Sequence, residues 1–244
     1  MNNARIINYL TGLFHLMKEN PIISIDTKKK EILGNLTRNE AVLTKGKKAV
    51  EVFDHDYPHL GSAKAIPHGI YDVKLNEGYV SLGNSHETAG FVVYNLEWWW
   101  WWWWWWDVGQ YEYRQATRIL ILCDSGGANE HRHHLFKKRL QAFARKIGKK
   151  LVVCHYLPYC SKYNPIERRL FAQVHRSIKK TILTDLEQVK RLMEKTETKT
   201  GLRVEVRINE KFYPLKQPSL AVEVDEKRIL RHPTLPKLSY TILP

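Results

Sequence analysis

The chain has 244 residues, of which 43% are apolar and 26% are charged, a balance typical of a globular protein with a buried core. Its 39 Lys and Arg residues outnumber 25 Asp and Glu residues, so the net charge is +14. This charge favours a polyanionic partner, of which nucleic acid is the commonest; a basic enzyme without such a partner is the alternative. No apolar stretch approaches the ~20 residues that cross a bilayer, so we expect no membrane partner.

The N-terminus and the cysteines indicate a cytoplasmic protein. The first twenty residues alternate polar and apolar groups at helical spacing and lack the unbroken apolar core of a secretory signal. An odd number of cysteines without a CxxC pair is typical of reduced, mostly buried thiols; they are Cys123, Cys154 and Cys160. For a basic protein of this kind we expect association with the nucleoid.

The first part of the chain predicts one helix followed by short strands. After the N-terminal helix, a β-branched strand covers 22–26 and a second strand covers 31–36. Residues 37–66 are polar and irregular in pattern. The next segment, GIYDVKLNEGYVSLGNS, alternates in two runs and predicts a β-hairpin that turns at residues 76–78.

The middle of the chain alternates helices with apolar strands. HETAGFVVYNLE begins a helix, with Glu87 near its first turn, and the helix continues into a tract of tryptophans. Near-continuous apolar runs at 119–123 and 151–154 predict strands buried on both faces, and a helix that ends at Gly148 connects them.

The last part of the chain predicts two helices and a pair of strands. Pro165 opens one helix, and a second amphipathic helix covers about 185–195. RVEVRINEKFYPL predicts a strand pair ahead of a tail that lacks helical signal. Together these elements predict an α/β protein with one main domain.

All nine tryptophans of the chain form one run, Trp98 to Trp106. As a helix this run is only ~13 Å long, too short for a bilayer, and it would expose several indole rings whichever face is buried. Stacking on unpaired bases is an alternative, but base-stacking surfaces place aromatic residues among basic ones, and this run contains none. Tryptophan has a single codon, so we favour lengthening of a triplet repeat by replication slippage.

Three acidic residues occupy positions where an α/β sheet places its functional groups. Asp26 and Asp124 each end an apolar strand, and Glu167 lies in the first turn of the helix after Asn164-Pro165. In an open α/β sheet, strand ends and helix starts converge on the functional edge. Carboxylates gathered there bind hard divalent cations such as Mg²⁺, and two such ions support phosphodiester chemistry. A single carboxylate at a strand end, by contrast, is most often a solvated turn residue or a helix cap.

Five segments, in this order, carry a family resemblance: SIDTKKKEILGN, AIPHGIYDVKLNEGYVSLG, LILCDSGGANEHRHHLFKKRLQ, HYLPYCSKYNPIERRLF and KTETKTGLRV. Together they resemble the catalytic domain of bacterial insertion-sequence transposases, specifically the Rhodopirellula-type DDE transposase family. The resemblance implies a ribonuclease H-like α/β fold, with a mixed central sheet flanked by helices, that cuts DNA and joins it to a target through two Mg²⁺ or Mn²⁺ ions. By position it implies Asp26, Asp124 and Glu167 as catalytic residues and metal ligands.

Basic and polar residues around the three acids are predicted to contact DNA or to support the site. Positive side chains there would neutralise phosphates; they are Lys28, Lys29, Lys30, Lys162, Arg168 and Arg169. For each of them, a solvated surface charge is the alternative. The resemblance implies supporting or substrate-binding roles for Asn129, His155, Ser161 and Asn164. The HRHH run at 131–134 has zinc-like spacing but no third ligand nearby, so we expect exposed helix histidines.

The resemblance also divides the chain. We predict an N-terminal helix at 1–20 that is the remnant of a missing upstream region, a ribonuclease H-like catalytic domain at 21–200, and a C-terminal extension of that domain at 201–244. Members of the family usually carry an upstream helix-turn-helix region that recognises element ends. If Met1 is the true start, we expect a separate helix-turn-helix polypeptide to supply it. The other expected partners are DNA, as element ends and as target, and a second copy of the chain.

Three functions are compatible with these features. The leading one is a DNA strand-transfer enzyme that acts at element ends. The second is an inert DNA-binding remnant, because Ala128 and Glu130 depart from the usual GGSNG pattern and the tryptophan tract stands where the family has a Trp pair. The third is a ribonuclease H-like nuclease that does not join strands.

Overall fold

The computed structural model of the chain describes residues 3–36, 61, 63–105, 113–130, 133–158, 160–215 and 223–244, and it describes only the main chain of 102–105, 129 and 161. The helices are α1 (Asn3–Leu16), α2 (Ala89–Trp105), α3 (His134–Ile147), α4 (Ala172–Ile178) and α5 (Leu186–Glu194). A π-helical turn, Glu167–Phe171, leads directly into α4. The strands are β1 (Ile22–Thr27), β2 (Glu31–Leu33), β3 (Ala63–Asp72), β4 (Glu77–Gly83), β5 (Arg118–Cys123), β6 (Lys150–His155), β7 (Arg203–Asn209), β8 (Ile229–Arg231) and β9 (Ser239–Ile242).

One mixed sheet organises the fold, with the strand order β7-β4-β3-β1-β5-β6-β9-β8 and with β2 paired to β3. Strand β1 is antiparallel to β3 and parallel to β5, and β5 is parallel to β6. Because β4 is antiparallel to β3, it runs in the same direction as β1. The carboxyl ends of β1, β4, β5 and β6 therefore meet at one edge of the sheet.

Helices cover both faces of this sheet. Helices α2 and α3 pack on one face, where their apolar side chains join those of β1, β5 and β6 in the largest core cluster. The π-helical turn, α4 and α5 pack on the other face against β3, β4 and β7. Helix α1 also contacts that second face, over β1 and β5. A mixed central sheet flanked by helices confirms the predicted α/β class and its architecture.

The start of the tryptophan tract belongs to the core. Helix α2 runs through the tract to Trp105. Trp99 is 1% exposed and Trp100 is 8% exposed, and both lie in the core cluster between α2 and the sheet. Trp98 is half-buried beneath the guanidinium of Arg207, whose Cζ lies 4.1 Å from the ring centroid. The expectation that a helical tract exposes some rings holds for Trp101, which is 42% exposed.

Several sequence predictions of local structure were wrong. The hairpin turns at 73–76 rather than 76–78, because Glu77 and Gly78 already pair with β3 while Asn76 takes a left-handed φ of 57°. The predicted irregular region 37–66 lies mostly outside the described residues, but its last four residues belong to β3, a strand that Pro67 concealed.

The C-terminal prediction was also wrong in part. RVEVRINEKFYPL contains one strand, β7, and it pairs in parallel with the distant β4 instead of with its own neighbour. Strands β8 and β9 were not predicted, because three or four residues are too few for a periodic signal. The second N-terminal strand, β2, stops at Leu33 rather than at 36, since Gly34 follows with a positive φ of 132°.

The predictions about the cysteines and about the end of α3 were confirmed. Cys123 and Cys154 are buried, Cys160 is half-buried, and all three are free thiols. Gly148 ends α3 in the left-handed conformation. Within the parts of the chain that the structure describes, no helix is long and apolar enough to span a membrane.

The burial pattern of the tract gives a test with an internal control. Trp99→Ala should lower the free energy of unfolding by about 3–5 kcal/mol, because it empties a fully buried site. Trp101→Ala, on the exposed side of the same helix, should change it by about 0.5 kcal/mol or less. Chemical denaturation of both variants measures the difference, and equal losses would contradict the packing described above.

Candidate active site

Two of the predicted acids lie side by side on the central strands. Asp26 and Asp124 follow Ile25 and Cys123, which are paired residues of the parallel strands β1 and β5. Asp26 is buried, and its carboxylate accepts a hydrogen bond of 2.7 Å from the main-chain N–H of Thr27. The strand register therefore places both carboxyl groups at the same edge of the sheet.

Asn164 fixes the position of the third acid. This side chain is fully buried, and its Oδ1 accepts a short hydrogen bond from the Ser24 hydroxyl. Its Nδ2 donates to the main-chain oxygen of Ile25 (3.3 Å), and the N–H of Ile166 donates to the Ser24 hydroxyl oxygen (3.0 Å). The start of the π-helical turn is thereby tied to β1 next to Asp26, and Glu167 is its first residue.

Two glycines let the π-helical turn approach the sheet closely. A Cβ atom at Gly69 would lie 2.6 Å from Phe171 Cε1, and one at Gly78 would lie 2.3 Å from Leu170 Cδ1. Gly69 is also the residue of β3 that pairs with Asp26. Because glycine has no side chain, Phe171 and Leu170 can pack directly on the sheet. This close packing places Glu167 beside Asp26.

Burial and mutual repulsion dominate the electrostatics of the three acids. The pKa of Asp26 is raised from 3.8 to about 8, first by burial and then by the charge of Asp124. Burial is also the main cause that raises the pKa of Glu167, whose carboxyl group hydrogen bonds with that of Asp26. At neutral pH and without a cation, a proton therefore lies between these two groups, on the Asp26 side.

A fourth carboxylate, Glu87, lies near Asp124. Burial raises the pKa of Asp124, the N–H of Gly126 opposes this shift by hydrogen bonding to the carboxylate, and the charge of Glu87 raises it further. Gly127 has a φ of 58°, and a Cβ atom there would lie 3.0 Å from Glu87 Oε1. The glycine turn after β5 thus allows Glu87 to reach the site, a contact that the sequence did not predict.

The donor set of this edge fits a hard divalent cation. It consists of carboxylate oxygens, the ligands that Mg²⁺ and Mn²⁺ prefer. Asp124 Oδ1 is buried and has no hydrogen-bond partner among the described residues. Those residues contain no preformed group of three or more His, Cys, Asp or Glu side chains in a metal-binding arrangement. The three carboxyl groups interact through charge repulsion and a shared proton, and they are not arranged around a single metal position.

His155 supports the main chain of Asp124 from below the site. This residue is fully buried at the end of β6, and its Nδ1 lies 3.0 Å from the carbonyl oxygen of Asp124. Because that oxygen only accepts, Nδ1 carries the proton. Nε2 lies 3.1 Å from the hydroxyl oxygen of Tyr240 on β9, which holds the other side of the ring. The sequence singled out His155 but gave no signal for Tyr240, which lies 85 residues further along the chain.

The predicted basic residues lie around this edge and differ in their exposure and in their partners. Lys28 is paired with Glu31, and Lys162 lies over the ring of Tyr163 at 5.1 Å from its centroid. The remaining four are exposed and have no ion-pair partner among the described residues; they are Lys29, Lys30, Arg168 and Arg169. The predicted side chains of Asn129 and Ser161 lie outside the described part of the structure, as does half of the HRHH run.

Comparison with known proteins identifies relatives. A family model described as the Rhodopirellula transposase DDE domain matches residues 11–244. No curated protein matches the chain in sequence.

Similar solved structures include the Mos1 transposase paired-end complex with left transposon end, at 15% identity and a TM-score of 0.48, and the Mos1 mariner paired end complex with Mn, at 16% and 0.49; each match covers 78% of this chain and 51% of that chain. The Mos1 strand transfer complex matches at 14% identity and a TM-score of 0.44, over 75% of this chain and 48% of that one. The chain spans about half the length of the solved chains that it matches.

The close approach at Gly69 is testable. Gly69→Ala should lower the free energy of unfolding by about 1–3 kcal/mol, because the added methyl group would overlap the ring of Phe171. Gly12→Ala is the matched control: it lies in α1 with open space around its Cβ position, so it should raise stability by about 0.5–1 kcal/mol. Urea denaturation of both variants gives the comparison, and a neutral Gly69→Ala would contradict the tight packing.

The raised pKa of Asp26 predicts how stability depends on pH. Between pH 3.8 and about 8 the folded chain holds a proton on Asp26 that the unfolded chain releases, so stability falls as the pH rises through this window. Asp26→Asn removes this titration, and the variant should gain stability relative to the wild type from pH 5 to pH 8. Thermal melting in EDTA measures the change, and Glu197→Gln, an exposed acid beyond α5, is the control that should track the wild type.

Proposed function

The chain belongs to the Rhodopirellula transposase DDE domain family, and from this premise we propose that it cleaves DNA at the ends of an insertion sequence and joins the freed 3′ hydroxyl to target DNA. The observation that carries the proposal is the coupling of Asp26, Asp124 and Glu167 at one edge of the sheet. One buried and two half-buried acids that repel one another are costly to fold unless a cation or a proton compensates them.

In this proposal Asp26, Asp124 and Glu167 hold two Mg²⁺ or Mn²⁺ ions. The chemistry that such ions supply when bound is stabilisation of the attacking and leaving oxygens of the phosphodiester. The protein's part is to present the carboxylates ionised and in fixed positions. Asp26 therefore gives up the proton that it holds in the cation-free chain, and its own burial makes that exchange sensitive to pH.

Asn164 and His155 act as positioning residues. Asn164 holds the turn that carries Glu167 against β1. His155 fixes the main chain at Asp124 and connects it through Tyr240 to β9. Neither side chain has to touch the substrate to fulfil this role, because each restrains an element that bears a carboxylate.

The exposed basic residues contact the DNA backbone. Exposed positive groups without competing partners suit phosphate binding, a condition that Lys29, Lys30, Arg168 and Arg169 meet among the described residues. Lys28 and Lys162 would exchange their present contacts for phosphate, and Asn129 and Ser161 remain proposed supporting residues. A DNA strand-transfer enzyme of this kind would work at the nucleoid. End recognition by a helix-turn-helix polypeptide and self-association belong to the same proposal.

Cleavage of DNA from around the gene tests the proposal. Genomic DNA on both sides is searched for terminal inverted repeats, and a labelled duplex that carries such a repeat with its flank is incubated with the protein and Mg²⁺. The wild type should cut the strand at the repeat and, with target DNA present, form joined products. Asp124→Asn should slow cleavage by about 10²-fold or more, because it removes one of the carboxylates that would hold the ions that stabilise the attacking and leaving oxygens.

The outcomes separate the candidate functions. Glu197→Gln, distant along the chain and exposed, should cleave like the wild type. Equal cleavage by Asp124→Asn would refute the assigned site. Salt-sensitive DNA binding without cleavage under any divalent ion would identify an inert DNA-binding remnant. Cleavage without joined products would identify a ribonuclease H-like nuclease.

A further inference from the structure

A pocket of about 370 Å³ opens at the end of β1, beside the candidate active site. Its lining includes Thr27, the three consecutive lysines Lys28–Lys30, Lys64 on β3 and Glu87. Thr27 follows Asp26 directly. Because successive residues of a strand point to opposite faces, the two side chains lie on either side of the same strand end. Any ligand that crosses this end can therefore reach both the pocket and the carboxylates.

The pocket carries an excess of positive charge. Lys28 is neutralised by Glu31, and Glu87 contributes one negative charge. Lys29, Lys30 and Lys64 are exposed and, within the described ranges, have no ion-pair partner. Two of these ammonium groups remain uncompensated after Glu87 is counted. A compact anion is the ligand class that this balance favours.

Thr27 adds a hydrogen-bond donor to this charge. Its Oγ1 is buried and lacks a hydrogen-bond partner among the residues that the structure describes. Leaving such a group unsatisfied costs about 1–3 kcal/mol, so a ligand oxygen that accepts from it gains a favourable contact. The main-chain N–H of the same residue donates to Asp26 Oδ1, which fixes the donor relative to the candidate catalytic carboxylate.

We infer that this pocket binds a phosphodiester group of the DNA strand, adjacent along that strand to the phosphate that reacts. The inference rests on the proposed function for the position of the reacting phosphate. It adds Thr27 and Lys64 to the DNA contacts, neither of which the sequence indicated. The strand passes over the carboxyl end of β1, with one phosphate held by lysine charge and the Thr27 hydroxyl while the next one faces Asp26.

Metal-free DNA binding tests the pocket separately from catalysis. A short fluorescent duplex of mixed sequence is titrated with the full chain in EDTA over a series of KCl concentrations. Lys64→Gln should make the slope of log K against log salt shallower by about 0.9, the value for one lost phosphate contact. Thr27→Val should weaken binding by about tenfold, because it removes a hydrogen bond to a charged group, while the slope stays unchanged.

Lys150→Gln is the matched control. Lys150 is an exposed strand lysine like Lys64, but it stands at the first residue of β6, at the opposite edge of the sheet. The salt slope and the DNA affinity of the Lys150→Gln variant should equal those of the wild type. If Lys64→Gln also matches the wild type, the pocket does not bind DNA and the inference fails. Should Thr27→Val lose its fold, the exposed Lys64 still decides the question.

Two further measurements separate the remaining possibilities. Inorganic phosphate is titrated into the wild type and into Lys64→Gln: phosphate binding that depends on Lys64 while DNA binding does not would assign the pocket to free phosphate and overturn the inference. Asp124→Asn should keep the full salt slope of the wild type. A chain that never cleaves DNA but shows the shallower slope with Lys64→Gln would refute the proposed strand cleavage and leave the phosphate pocket standing.

Discussion

The docking of one π-helical turn against the sheet is the constraint on which the candidate site depends. Glu167 reaches Asp26 only because Asn164 ties the start of the turn to β1 and because two strand glycines leave space beneath it. The packing of this turn against the sheet contributes the free energy that keeps the three acids close together in spite of their repulsion. π-Helical turns are rare and often occur at functional positions, and this one carries Glu167 as its first residue.

The order of the strands explains which other groups arrive at the same place. Strand β1 lies in the centre of the sheet, and Asp124 follows its neighbour β5. Strand β6, next to β5, ends at His155, which supports the main chain of Asp124. Strand β4 ends at the same edge, so the connection to α2 brings Glu87 and one wall of the lysine pocket to the site. Acidic and basic groups thus adjoin at this edge, with Glu87 close to both, an arrangement suited to a polyanion that must approach carboxylates.

The tryptophan tract has two parts with different physical roles. Trp99 and Trp100 fill the core between α2 and the sheet, and Trp98 stacks with Arg207. These contacts show that the first tryptophans of the tract pack into the fold, at the point where the family resemblance implies a Trp pair. Trp101 is more exposed than these three, and lengthening of the run by slippage stays a prediction. The tract therefore extends a helix whose first tryptophans are packed in the core, and the three acids of the candidate site lie outside the tract.

Local sequence patterns determined most of the helices and strands, and they placed the three acids at strand ends and at a helix start. Buried strands at β5 and β6, the helix stop at Gly148 and the strand-end positions of Asp26 and Asp124 follow from periodicity and from turn chemistry that act over a few residues. Only the tertiary structure decided the pairing of β7 with β4, the approach of Glu87 and the support that Tyr240 gives to His155. These contacts join residues far apart in the chain, so no local pattern encodes them. They arise from close packing across the whole sheet, which a sequence specifies only through all of its side chains together.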